Sequence, residues 1–143
     1  MIKNIVSKIS KKDFLKLKEE YIDLLNKEDF YIQYIDGKLI QTQQQCYDYF
    51  GKVYCFANYF GNNWDAFTDC MRDLEFWDES QGFILVIYNY SNFLSQYQKD
   101  KQIFIECLKY IVYFYEKECL TTSGGMNKIK SFDVYLIDED INM

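Results

Sequence analysis

The sequence of 143 residues contains no histidine and no proline. Without histidine, the chain cannot use Ser–His or Cys–His catalysis, histidine acid–base chemistry or a histidine-liganded metal. Without proline, no turn can depend on a cis-prolyl bond. Apolar runs are also short: none approaches the roughly 18 residues that cross a bilayer, and the N-terminal segment lacks the continuous apolar stretch of a signal peptide. We therefore expect a cytoplasmic protein that has no membrane partner.

Basic residues are in the minority, with 16 Lys and Arg against 22 Asp and Glu and a net charge of −6. Phosphate backbones repel a negative chain, so we do not expect a nucleic-acid partner and favour a basic protein instead. The length and the hydrophobic content of 49% are typical of one globular domain that needs no disulfide or metal to hold its core.

Cysteines are few and odd in number, and none are spaced as Cys-x-x-Cys. This pattern is not typical of a disulfide scaffold, and it predicts free thiols in a reducing compartment. Because free cysteine is among the most buried residue types, we expect these thiols to lie largely in the core. They are Cys46, Cys55, Cys70, Cys107 and Cys119.

Apolar spacing alternates along the chain between strand and helix patterns. Helices are predicted over residues 11–29, 43–57, from 62 or 63 to 74, 91–97 and 100–118. Strands are predicted over 31–35, 83–88 and 132–137. The middle strand is a continuous apolar run, typical of a strand that is covered on both faces. Strands separated by helices predict an α/β fold with a small parallel sheet.

Residues 59–74 read YFGNNWDAFTDCMRDL and carry the most information about function. At about 100° of rotation per residue, an apolar stripe faces one side of a helix, while Asp65, Asp69 and Arg72 face the other. Residues 62–79 hold six acidic residues against one arginine, and several aromatic residues lie among them. Acidic groups beside aromatic rings are typical of a protein-binding surface.

Helical spacing alone leaves other interpretations open. The acids could form an ordinary solvated helix face, with Asp65 placed in the first turn by its interaction with the helix dipole. Asp65, Asp69 and Asp73 are four residues apart and could instead hold Mg²⁺ or Ca²⁺ in a metal-dependent enzyme. The lysine-rich N-terminal helix could contact a membrane surface, although its aromatic residues are better explained by packing on the sheet.

The same residues resemble the barstar family of ribonuclease inhibitors. The family pattern is an aromatic pair, Gly, a variable residue, Asn, an apolar or Trp residue, then Asp-Ala, with Asp-Cys shortly after. The sequence matches this pattern with YFGNNWDA and then Asp69-Cys70. The resemblance extends over residues 31–137. It implies a three-stranded parallel sheet packed with helices in a domain over 31–143, preceded by an N-terminal helical extension over 1–30.

The resemblance implies an inhibitor rather than an enzyme, with no cofactor or metal. Such an immunity protein or antitoxin binds a nuclease toxin in a 1:1 complex, is a monomer when free, and plugs the basic active site of the toxin with its acidic helix. Asp69 would take the place of a substrate phosphate, Asp65 would be the second acid, and Tyr59 would pack on the enzyme. The expected toxin-binding residues are Tyr59, Asn63, Trp64, Asp65, Thr68, Asp69, Arg72 and Asp73.

Several positions depart from the family pattern. Ala57 replaces a frequent proline, and Thr68 replaces an aromatic residue of the prototype. Arg72 and Asp73 replace small neutral residues, and Phe114 falls near the place of a further acidic contact. A positive Arg72 would repel a basic pocket unless it pairs with a neighbouring acid. These differences keep open a partner that is not a ribonuclease, including a non-nuclease protein bound by the same fold.

Overall fold

Four parallel strands form one sheet in the computed structural model, which describes residues 5–26, 29–56, 62–74, 81–121 and 131–141. The strands are β1 (Val6–Lys8), β2 (Phe30–Asp36), β3 (Gly82–Tyr88) and β4 (Ser131–Leu136), in the order β1-β4-β3-β2. β3 and β4 are buried along almost their whole length. The α/β class and the parallel pairing of the three predicted strands are confirmed.

The sheet has one strand more than the three expected. β1 lies in the segment predicted to be a helical extension, and it pairs with β4 so that Val6 lies opposite Val134. The strand is only three residues long, and its side chains are half-buried or exposed. Its sequence therefore contains too little alternation of apolar and polar residues to distinguish it from a loop. Its pairing makes β4 a central strand rather than an edge strand.

Helices α1 and α2 begin at side-chain caps. Ser10 caps α1 (Lys11–Leu17), and the helix continues through a π-helical turn (Lys18–Ile22) and a last α-helical turn (Asp23–Leu25). Thr42 and Gln45 form a capping box at the start of α2 (Gln43–Val53). Both helices fall within the predicted segments and end earlier than expected.

Two further helices, α3 (Trp64–Arg72) and α4 (Gln98–Thr121), fall where the sequence predicts them. The prediction of a helix over 91–97 is wrong, because a 3₁₀ turn (Tyr90–Asn92) is followed there by irregular turns. Asn89 and Leu94 adopt positive φ angles of 51° and 47°, which an L-residue helix cannot include. Among the described residues, no helix is long and apolar enough to cross a membrane.

The two faces of the sheet carry separate hydrophobic clusters. Helices α2, α3 and α4 cover one face, where the rings of Phe67 from α3 and Phe104 from α4 lie 5.9 Å apart. Helix α1 covers the other face, with Phe14 and Ile22 packed in a cluster that includes Val86 from β3. The first cluster fixes α3 against α4, and this juxtaposition creates the site described below.

The cysteines differ in exposure more than the sequence predicts. Cys46, Cys55, Cys70 and Cys107 carry free thiols, but only Cys46 is buried. Cys55 is exposed because it follows the end of α2 with a φ of 56°, in a left-handed turn. Cys119 lies outside the side chains that the structure describes. The expectation of buried thiols therefore holds for Cys46 and is wrong for Cys55.

Candidate protein-binding face

Helix α3 presents acids on one side because its other side anchors it in the core. Asn63 caps the helix, and its Oδ1 accepts a hydrogen bond from the backbone N–H of Ala66 at 2.7 Å. Phe67 and Met71 are buried on the inner face. The carboxylates of Asp65, Asp69 and Asp73 are on exposed residues, as the helical spacing predicts. The exposed face is therefore free to bind a partner without loss of core packing.

Trp64 and Thr68 set the position of the helix rather than its charge. The half-buried indole of Trp64 packs edge-on against Tyr47, with ring centroids 5.1 Å apart, and against Phe67 at 5.6 Å. The hydroxyl of Thr68 donates a hydrogen bond to the carbonyl oxygen of Trp64 at 3.0 Å. Both side chains are partly accessible at the margin of the acidic face.

Arg72 is held by four contacts on the acidic face. Its Nη2 donates to Oδ1 of Asp69 at 2.5 Å, and its Nη1 donates to the hydroxyl of Tyr110 at 3.2 Å. Its Cζ lies 5.4 Å from the ring centroid of Tyr110 and 5.3 Å from that of Phe114. We call Asp69, Arg72, Tyr110 and Phe114 the arginine clamp. It joins the acidic helix α3 to the outer face of α4.

A shallow groove of about 500 Å³ runs between α3 and α4 beside the clamp. Its walls are Asp65, Thr68, Asp69 and Arg72 from α3, and Ile103, Glu106, Cys107 and Tyr110 from α4. The groove gathers three carboxylates around one guanidinium, so its charge remains negative. Arg72 pairs with Asp69, which is the arrangement that the sequence requires for a cation on this face to be tolerated.

The sequence-based search missed the residues that α4 contributes to the groove, above all Glu106 and Tyr110. Ile103 and Cys107 follow the apolar spacing of α4 that forms its core stripe, yet both are only half-buried. Residues 103, 106, 107 and 110 recur at helical spacing along one edge of that stripe. This spacing is the signal that could have found them, once α4 was known to lie beside α3.

The thiols next to the groove are held in their neutral form. Burial raises the pKa of Cys107, and the carboxylates of Asp65 and Glu106 raise it further, against the opposing effect of a hydrogen bond with Thr68. Burial, Asp73 and Asp69 likewise raise the pKa of Cys70. A thiol is nucleophilic as the thiolate, so this environment suppresses cysteine reactivity at neutral pH.

Tyr59 lies outside the described residues. The alternative metal site consists of Asp65, Asp69 and Asp73. Within the part of the chain that the structure describes, these side chains belong to no group of three that could hold a metal ion. Asp69 instead forms an ion pair with Arg72, and the three carboxylates extend along the helix.

The fold and this face together define a class of protein: a small parallel α/β domain that presents an acidic helix and groove. A family model described as Barstar (barnase inhibitor) matches residues 30–123. The chain therefore belongs to the barstar family, whose members are inhibitors of barnase-type ribonucleases rather than enzymes. The match includes α3 and the groove-lining part of α4. A comparison with curated proteins gives no significant match.

Proposed function

We propose that this chain is an intracellular immunity protein that binds a cognate nuclease toxin in a 1:1 complex and blocks its basic active site with the acidic face. The observation that carries the proposal is the position of Asp69. Its side chain is 65% exposed, at the edge of a negative groove, on a helix whose opposite face is buried. The resemblance assigns the inhibitory carboxylate to this residue.

The proposed mechanism is electrostatic mimicry of the substrate. Carboxylates of Asp65, Asp69 and Glu106 occupy positions that phosphate oxygens take in the toxin, and they accept hydrogen bonds from its Arg and Lys side chains. The net charge of −6 attracts a basic enzyme over a long range and accelerates encounter. The chain catalyses no step and needs no cofactor, because a rigid negative surface is sufficient to occupy the site.

The other predicted contacts surround this centre. Asn63 and Trp64 hold the start of α3, Thr68 borders the groove, and Asp73 extends the negative charge past the last turn. Tyr59 remains a proposed aromatic contact on the segment before the helix. A few central groups that carry most of the binding energy, surrounded by contacts that exclude water, are the usual arrangement of a specific interface.

Co-expression with a panel of barnase-type ribonucleases tests the proposal. The wild-type chain should protect host cells from at least one enzyme, and Asp69→Ala should lose that protection. Loss of one partner from a buried charged pair costs about 2–5 kcal/mol, which is more than tenfold in affinity. Unchanged affinity of Asp69→Ala for its enzyme would show that the inhibitory face is elsewhere.

Asp23→Ala is the matched control for this experiment. Asp23 is also an exposed aspartate that pairs with a cation on its own helical segment, Lys18 at 3.1 Å, but it lies on α1, across the sheet from the groove. The Asp23→Ala variant should protect host cells as well as the wild-type chain does.

A second candidate function, binding of a non-nuclease protein, is favoured by Arg72 within the acidic face. Failure of the chain to protect against any enzyme of the panel would favour this second function.

A further inference from the structure

The contacts of Arg72 hold its side chain in one position on the acidic face. Its side chain is 29% exposed, and a swing away from α4 would break the ion pair with Asp69, the hydrogen bond to Tyr110 and both ring contacts. Guanidinium groups over aromatic rings gain further attraction when water is removed from around them. A partner that covers the groove therefore meets the arginine in place.

The clamp also limits which oxygen of the Asp69 carboxylate a partner can bind. Oδ1 of Asp69 already accepts from Arg72, while Oδ2 has no donor among the described residues. A partner cation that binds Oδ2 is brought within a few ångströms of the guanidinium. Like charges in a desolvated interface repel strongly unless an opposite charge lies between or beside them. Remaining N–H groups of Arg72, which lines the groove, can donate to such a neutralising acceptor.

On the basis of the proposed function, we infer that Arg72 determines which partner this face accepts. It disfavours a pocket that contains only basic residues. It favours a pocket in which an Asp or Glu side chain lies next to the cation that meets Asp69, so that partner and inhibitor present two complementary pairs of charges. The remaining carboxylates, Asp65 and Glu106, bind further cations along the groove.

Equilibrium binding to a barnase variant in which every Asp and Glu side chain of the active site is replaced by Asn or Gln provides the first test. Arg72→Ala should bind this purely basic pocket at least about tenfold more tightly than the wild-type chain does, because the repelling charge is gone. Lys109→Ala is the control, because Lys109 is exposed on α4 outside the clamp. Its removal changes the net charge by the same amount as the removal of Arg72. Equal gains from the two variants, or no binding by either the wild type or Arg72→Ala, would overturn the inference.

A second measurement tests the acidic neighbour. Barnase variants in which each basic active-site residue is replaced in turn by Glu are measured against the wild-type chain and Arg72→Ala. One replacement should improve binding to the wild type about tenfold more than binding to Arg72→Ala. Absence of such coupling at every position would contradict the inference. The proposed function fails separately, if Asp69→Ala binds barnase as tightly as the wild type.

Discussion

Asp69 contributes its side chain to the surface and almost nothing to the core. The residue is exposed, and its ion pair with Arg72 joins positions three apart on one helix. Such exposed pairs contribute about 0.3–0.5 kcal/mol. Asp23 is likewise exposed, and its ion pair with Lys18 lies on the other side of the sheet. An Asp69 variant can therefore be tested for partner binding without a large change in stability.

Asp69→Ala should unfold within about 2 °C of the wild type, because a change of 1 kcal/mol shifts the melting temperature of a domain of this size by about 2–4 °C. Thermal unfolding followed by circular dichroism checks this expectation, with Asp23→Ala measured in parallel. A large drop in melting temperature for Asp69→Ala alone would mean that lost protection in cells reflects lost folding.

Two glycines allow a matched comparison of backbone packing. A Cβ at Gly37 would lie 2.5 Å from the backbone oxygen of Asn89, so the turn after β2 must move to accept it. A Cβ at Gly51 in α2 would lie 3.4 Å from the side chain of Phe56, close to an ordinary contact. Gly37→Ala should lose about 1–3 kcal/mol of unfolding free energy, while Gly51→Ala should be neutral or gain up to about 1 kcal/mol. Urea unfolding measures both; equal values would contradict this account.

At the scale of elements, α1 is needed to cover one face of the sheet. Phe14 is fully buried and packs its ring 6.4 Å from those of Tyr34 and Tyr135. The family model does not extend to α1, but the apolar side chains beneath it, such as Val86, belong to a central strand. The segment before β2 therefore completes the core of this chain rather than being an optional addition.

Phe14→Ala should lower the free energy of unfolding by about 3–5 kcal/mol, as expected for removal of a buried aromatic ring. Leu24→Ala is the control, because this leucine lies on the same helical segment and is 55% exposed. It should change stability by less than about 0.5 kcal/mol. Urea unfolding compares the two variants, and a Phe14→Ala variant as stable as Leu24→Ala would show that α1 does not hold the sheet.

The elements with a local signal could be predicted from the sequence, and the contacts between them could not. The apolar run of β3 and the cap at Asn63 are contained in a few neighbouring residues. β1 is too short to show a period, and it forms only because β4 offers an open edge. The clamp joins Arg72 to Tyr110 across two helices, and no feature near either residue indicates the other. The acidic half of the site was thus predictable, and its α4 half required the fold.

For the whole molecule, buried and half-buried tyrosines set the response to alkaline pH. Burial, with a smaller effect of Asp23, raises the pKa of Tyr34 to about 12. Burial likewise raises the pKa values of Tyr54, Tyr90 and Tyr135 above their usual range. These groups stay protonated in the folded protein while they ionise near pH 10 in the unfolded chain. The stability that they contribute is complete below pH 10 and is lost as the pH rises through the folded-state values.

The free energy of unfolding should fall above pH 10 by up to about 1.4 kcal/mol per pH unit for each such tyrosine. Urea unfolding between pH 9 and about 11.5 measures the slope. Tyr34→Phe should reduce the slope, whereas Tyr113→Phe, at a tyrosine that is 54% exposed, should leave it unchanged. A pH-independent stability across this range would contradict the role of burial.

The pairing of β1 with β4 makes the support of the acidic face depend on segments that are far apart in the sequence. Residue 6 lies beside residue 134, so the sheet closes only when both ends of the described chain have come together. Phe132 and Val134 of β4 belong to the same cluster that seats Phe67 of α3. A chain without β4 would carry every acid of the groove and lack the surface that supports them. Formation of the acidic face is thus coupled to completion of the sheet.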